Sequence, residues 1–168
     1  MDSALEAAIA EGFDNRDRDN MAPTIAYFTD LLDRYPGHPA VLYELGGSYD
    51  TAGQGDTAEV YYLRALDAGL GGDRLRRCLL QYGSTLRNLE RYDESLRVFD
   101  RACEEFPESP ALRVFRAITL FAADKHASAV GELLDVIADA DGTDIARYEA
   151  AIRGNADYLR SLDDDAGR

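Results

Sequence analysis

Apolar residues recur along this 168-residue chain at helical spacing, in the same order several times over. The clearest run is Pro39 to Leu70. It places Leu42, Leu45, Gly46 and Tyr49 at L-x2-LG-x2-Y, then Ala58, Tyr62 and Ala65 at A-x3-Y-x2-A. This spacing predicts two antiparallel helices joined by a tight turn. Gly46 has no Cβ and lets the second helix come close, Ala58 is the small residue facing it, and Leu42, Leu45, Tyr49 and Tyr62 fill the space around the contact. One such hairpin cannot bury its apolar face alone, so it must stack on others.

The rest of the chain supplies the others. Ser3 and Glu6 form a capping box that opens a first helix running to about Asn15. Pro23 opens a second, with Phe28 and Leu31 on its apolar face and Pro36 as its stop. Gly12 precedes Gly46 by 34 residues; Gly83 follows Gly46 by 37, and Ala117 follows Gly83 by 34. The extra residues fall in Gly69-Leu70-Gly71-Gly72, an inter-repeat loop that tolerates them. Asp56 with Glu59 reads as the cap of the fourth helix, and Ser109-Pro110 as the cap and start of the seventh. Repeats are expected at about 5–38, 39–75, 76–109 and 110–142 of a single domain spanning 1–168. The fourth departs most, since Arg113 and Arg116 stand at usually apolar places.

After Asp141-Gly142, Thr143 is expected to cap a final helix over 143–162, followed by a frayed tail over 163–168. Ile145, Tyr148, Ile152, Leu159 and Leu162 share one face, with Arg147, Arg153, Asp157 and Arg160 on the others. The apolar face is expected to seal the open end of the stack against Val130, Leu133, Leu134 and Ile137.

Charge narrows the function. Thirty-two acidic residues against 18 basic ones give a net charge of −14, which argues against a nucleic-acid partner. No stretch approaches the roughly 18 apolar residues that span a bilayer, and Met1 to Ala10 lacks the basic and apolar regions of a secretory signal. Cys78 and Cys103 each fall in an expected helix and read as small buried groups rather than a disulfide framework. A cytoplasmic protein is expected. His38 and His126 have no second ligand at a metal spacing, and no Cys–His pairing is readable, so neither a metal site, a cofactor nor an enzyme is expected.

The repeated L-x2-LG-x2-Y and A-x3-Y-x2-A pattern resembles the tetratricopeptide repeat over residues 3–142. The run Gly83 to Tyr92 and the terminal helix resemble small stand-alone bacterial proteins of that family. The resemblance implies an all-α fold: a right-handed α–α superhelix of four helix-turn-helix repeats with a C-terminal capping helix. It further implies a concave groove, lined by the first helix of each repeat, that binds a protein or peptide without catalysis. Family geometry then selects Phe13, Tyr43, Asp50, Arg77, Leu80, Ser84, Arg87, Asn88, Ile118 and Phe121 as groove residues, with Glu6, Ile9 and Arg16 among the others in repeat one. The places where one subset of the family clamps a terminal carboxylate hold Ile9 and Phe13, Tyr43 and Gly47, and Leu80 and Ser84, so that clamp is absent.

Two readings of the groove stay open. Arg77 and Arg87 suit an acidic side chain or terminal carboxylate, or else form a solvated face with local ion pairs, for instance to Asp50. Phe13, Tyr43, Leu80, Val114, Ile118 and Phe121 suit an apolar peptide stripe, or the last three pack under the final helix. A monomer is expected, with self-association through the irregular first helix as the alternative.

Overall fold

The computed structural model describes residues 3–140 and 148–166, and every regular element among them is a helix. In chain order these are α1 (Ser3–Asp14), α2 (Ala22–Arg34), α3 (Pro39–Thr51), α4 (Gly55–Asp67), α5 (Gly72–Asn88), α6 (Tyr92–Glu105), α7 (Pro110–Ala122), α8 (His126–Ala138) and α9 (Glu149–Ala166). The expected stop at Asp141-Gly142, the Thr143 cap, Ile145 and Arg147 lie outside the described residues. The chain divides into two compact units, Met1–Leu89 and Glu90–Arg168, with the division in the turn between α5 and α6.

Helix starts follow the prolines more closely than the expected caps. Pro23, Pro39 and Pro110 all sit in first turns, where a missing N–H costs nothing. α4 begins at Gly55, so Asp56 lies inside its first turn, where it favours the helix dipole, and Gln54 holds the cap position without a side-chain bond. Ser109 holds the cap position of α7, where its side chain makes no cap bond. Glu6, read as half of a capping box, instead receives two bonds from Arg74, at 2.9 and 2.7 Å. A bidentate guanidinium outcompetes a single backbone N–H for a carboxylate. At the turns into α4, α6 and α8 one residue takes a left-handed backbone: Gly53 (φ 75°), Glu90 (φ 61°) and Asp124 (φ 59°).

In the first unit, α1 packs on α2, α2 on α3, α3 on α4, and α4 on α5, while α3 also meets α1 and α5. A Cβ on Gly46 would lie 2.8 Å from the Tyr62 ring, and one on Gly12 would lie 2.6 Å from Tyr27 and 2.7 Å from Phe28. The glycine therefore admits an aromatic ring, with Ala58 buried beside it. Leu5, Ile9, Phe28, Leu31, Ala40, Val41 and Leu45 form one core. Each large apolar member contributes about 1.5–3 kcal/mol by leaving water. Asp50 ties the repeats together: the Thr85 hydroxyl donates to its Oδ1 at 2.9 Å, and the Tyr62 hydroxyl lies 3.5 Å from its Oδ2.

The second unit stacks α6, α7, α8 and α9 in sequence. Leu96, Leu120 and Ala129 form its buried cluster, with the Ser95 and Thr119 hydroxyls 3.2 Å apart beneath. Arg113 and Arg116, unusual at their repeat positions, converge on Glu132 of α8 at 3.1 and 3.0 Å, and Arg116 also donates to Asp100 at 2.7 Å. The final helix differs from its expected packing. Val130, Leu133 and Ile137 remain 47, 38 and 44% exposed, and Tyr148 and Leu162 are exposed too. α9 packs through the middle of its expected stripe, with Ala156 buried between the partly buried Ile152 and Leu159, but it meets α8 to one side of the expected face, at Gly131. A Cβ on Gly131 would lie 2.8 Å from the carbonyl of Ala156, which is fully buried, and Arg153 and Arg160 reach Asp139 and Asp135. Helical spacing identifies the stripe of α9 that packs, while the close contact at Gly131 and the paired charges place it against a different side of α8. α9 also extends beyond the expected 162 to Ala166, and Asp163, placed in a frayed tail, accepts the Ser128 N–H at 2.7 Å. That bond satisfies an otherwise open donor in the first turn of α8.

Candidate functional site

The first helices of three successive hairpins, α1, α3 and α5, lie side by side in the first unit and build a pocket of about 210 Å³. Phe13 comes from the end of α1, and Arg16 and Arg18 from the turn that follows. Tyr43, Glu44, Gly47, Ser48 and Thr51 come from one face of α3, spaced by three or four residues. Arg77 and Gln81, one turn apart, come from α5, and Thr24 and Phe28 of α2 reach the base. A second pocket of about 200 Å³ shares Phe13, Glu44 and Arg77 and continues past Ile9 to Arg74.

Electrostatics distinguish this pocket. The Arg16 guanidinium lies 3.6 Å from the centroid of the Phe13 ring and that of Arg77 lies 5.8 Å from it. Burial pushes the Glu44 carboxyl above the usual carboxylate range, against the pull of Arg77, Arg74 and Arg16. Tyr43 is 2% exposed, and burial pushes its phenol up to about 12. It forms the floor of the site, not the open strip expected of it. The missing Cβ of Gly47 leaves the side above that floor open, with Gln81 3.6 Å away.

The remaining sequence-selected residues divide. Leu80 is half-buried, and the Ser84 hydroxyl is spent on the Leu80 carbonyl at 2.9 Å. Asp50 serves Thr85 and Tyr62, not an arginine. Arg87 donates to exposed Asn88 at 3.4 Å, while its Nη1 is buried with no hydrogen-bond partner, and burial lowers its pKa. Ile118 and Phe121 belong to the second unit, on one exposed face of α7, with the Phe121 ring 4.7 Å from that of His126. Cys78 is buried and Cys103 half-buried, and burial raises the pKa of Cys103. Arg18, Met21, Thr24, Phe28, Glu44, Ser48 and Gln81 of the pocket fall outside the selected repeat positions. For Glu44, Ser48 and Gln81 the signal is adjacency to the groove face: Glu44 follows Tyr43, Ser48 follows Gly47, and Gln81 lies one turn beyond Arg77.

No helix among the described residues is long and apolar enough to cross a membrane. A search of curated proteins finds no match to the chain. The family described as Tetratrico peptide repeat matches residues 39–159. The match takes in α3 to α8 and the larger part of α9, and it begins after the hairpin of α1 and α2, which nonetheless carries the same glycine–aromatic contact. Repeats of this kind generally mediate protein–protein interaction. With a match over well more than half of its length and helical hairpins throughout the described residues, this chain belongs to the tetratricopeptide repeat family.

Proposed function

We propose that this protein is a non-catalytic interaction module that binds a protein or peptide on the face formed by α1, α3 and α5. The observation that carries the reading is the convergence of Phe13, Gly47 and Arg77, one from each of three successive hairpins, on one open pocket. An extended peptide lying across three parallel ridges meets all of them, and an aromatic ring flanked by guanidiniums offers both apolar and charged contact. Crosslinking in cells identifies the partner; binding of the purified partner is then measured against variants. Phe13→Ala and Arg77→Ala are each expected to weaken it at least tenfold, whereas Phe121→Ala in the second unit leaves it unchanged. Unchanged affinity in the first two variants moves the site elsewhere.

Self-association is the second reading, and the exposed Val130, Leu133 and Ile137 on one side of α8 favour it. Light scattering across micromolar concentrations decides it: a constant monomer mass removes this reading.

A further inference from the structure

Among the described residues, eight of fifteen arginines hold a carboxylate. Arg74 forks onto Glu6, Arg76 bonds Asp73, Arg91 bonds Glu94, and Arg113, Arg116, Arg153 and Arg160 each hold at least one carboxylate. This is what an excess of 32 acidic over 18 basic residues should produce. Exposed Arg64 and Arg97 hold no carboxylate and stand apart, whereas Arg16, Arg18 and Arg77 hold none and share one site. Among the described residues none of the three donates a hydrogen bond or forms an ion pair, and all three line the same pocket beside Phe13. Against them stands one carboxylate, Glu44, which leaves the pocket two formal positive charges in a protein of net charge −14. Thr24, Ser48, Thr51 and Gln81 add neutral polar side chains to the lining.

We propose that this pocket is a phosphate-binding subsite that takes a phosphorylated side chain of a protein partner. The inference deepens the interaction reading above and rests on it. Charge balance selects the ligand. A phosphomonoester carries about −1.5 to −2 at neutral pH and offers three acceptor oxygens, which match two net positive charges and three guanidiniums. A carboxylate carries one charge and leaves one guanidinium uncompensated. Extended polyanions, nucleic acid and anionic membranes, are disfavoured because their further charges meet a chain of net charge −14. A single phosphate on a flexible side chain enters a 210 Å³ pocket without that cost.

The test uses the full chain, labelled for amide and guanidinium NMR at constant ionic strength. It is titrated with inorganic phosphate, a capped phosphoserine peptide and the glutamate counterpart of that peptide. Saturable shifts at Gly47, Ser48 and the side chains of Arg16 and Arg77 are expected for the two phosphates, with the glutamate peptide at least tenfold weaker. Arg16→Ala, Arg18→Ala and Arg77→Ala each reduce phosphate affinity several-fold. Glu44→Gln increases it, since it removes the opposing charge. Gly47→Leu abolishes binding while every arginine is retained, which separates a shaped pocket from diffuse attraction. No saturable response, an equal response to the glutamate peptide, or a phosphate response indifferent to Gly47→Leu overturns the proposal. Because these probes need no partner, failure here leaves the interaction reading standing, and a partner indifferent to Phe13→Ala overturns that reading separately.

Discussion

Gly46 lets the Tyr62 ring lie against α3, Gly12 does the same for Tyr27 and Phe28, and the Tyr49 and Tyr61 rings stack 5.3 Å apart. In the second unit, the Phe121 and His126 rings meet 4.7 Å apart on an exposed face, and charge does more of the joining. Glu132 gathers Arg113 and Arg116, while Asp135 and Asp139 hold Arg153 and Arg160. One architecture is thus closed by aromatic packing in the first unit and by paired charge in the second. Aromatic packing is insensitive to salt and to acid, whereas ion pairs respond to both. The two units should therefore fail under different insults.

The largest expected effect comes from filling the first contact. Gly46→Val drives two methyl groups into the Tyr62 ring and should cost about 3 kcal/mol, at the upper end of ordinary overpacking. Chemical denaturation measures it, and a loss below 1 kcal/mol would show that the ring moves freely. In the second unit, Glu132→Gln removes the charge and one of the two acceptor oxygens that two half-buried guanidiniums share. It should cost about 2 kcal/mol, as for hydrogen bonds to charged groups. The deficit should shrink at high salt, where the wild-type pairs are themselves weakened, and a salt-independent deficit would assign the effect to packing instead.

Acid should separate the units further. Bonds from Arg153 and Arg113 hold the Asp139 carboxyl below its usual range, and the Ser128 N–H does the same for Asp163. A carboxylate with a depressed folded-state pKa adds stability above its unfolded value, about 4, and loses it as pH falls through the lower folded value. In the first unit burial raises Glu44 and Asp50, so the folded state binds their protons more tightly. Their contribution runs the other way, greatest at low pH and declining as pH rises. Glu6 opposes them there, since the Arg74 bond lowers it. Amide exchange followed from about pH 6 to pH 3, after correction for the intrinsic rate, should show α8 and α9 losing protection before α3 and α4. The reverse order would mean that charge does not govern the second unit.

The smallest effect sharpens the comparison within one helix. Gly47 neighbours Gly46, but a Cβ there meets nothing closer than 3.6 Å. Gly47→Ala should stabilise the protein by about 0.5–1 kcal/mol through helix propensity alone. A destabilising result would show that the pocket wall is already full.

The sequence by itself determined the hairpins. Periodicity, the prolines in first turns and the 34-residue recurrence of a small residue are local consequences of helical geometry, and they marked α1 to α8 within a few residues. It also marked Phe13 and Arg77, because a repeat position that faces outward in one copy does so in the next. Only tertiary structure decided the rest. Tyr43 occupies an outward repeat position yet is buried, because it packs against the Tyr62 ring of the neighbouring helix, with centroids 6.4 Å apart. The side of α8 that receives α9 was set by Gly131, a residue without a side chain and so without an apolar signal. Arg16, Arg18 and Arg77 became one cluster only when α1 and α5 were brought to the two sides of α3. Pairwise spacing along a chain encodes which face a residue occupies; which residues from distant segments share a pocket depends on how those faces are stacked.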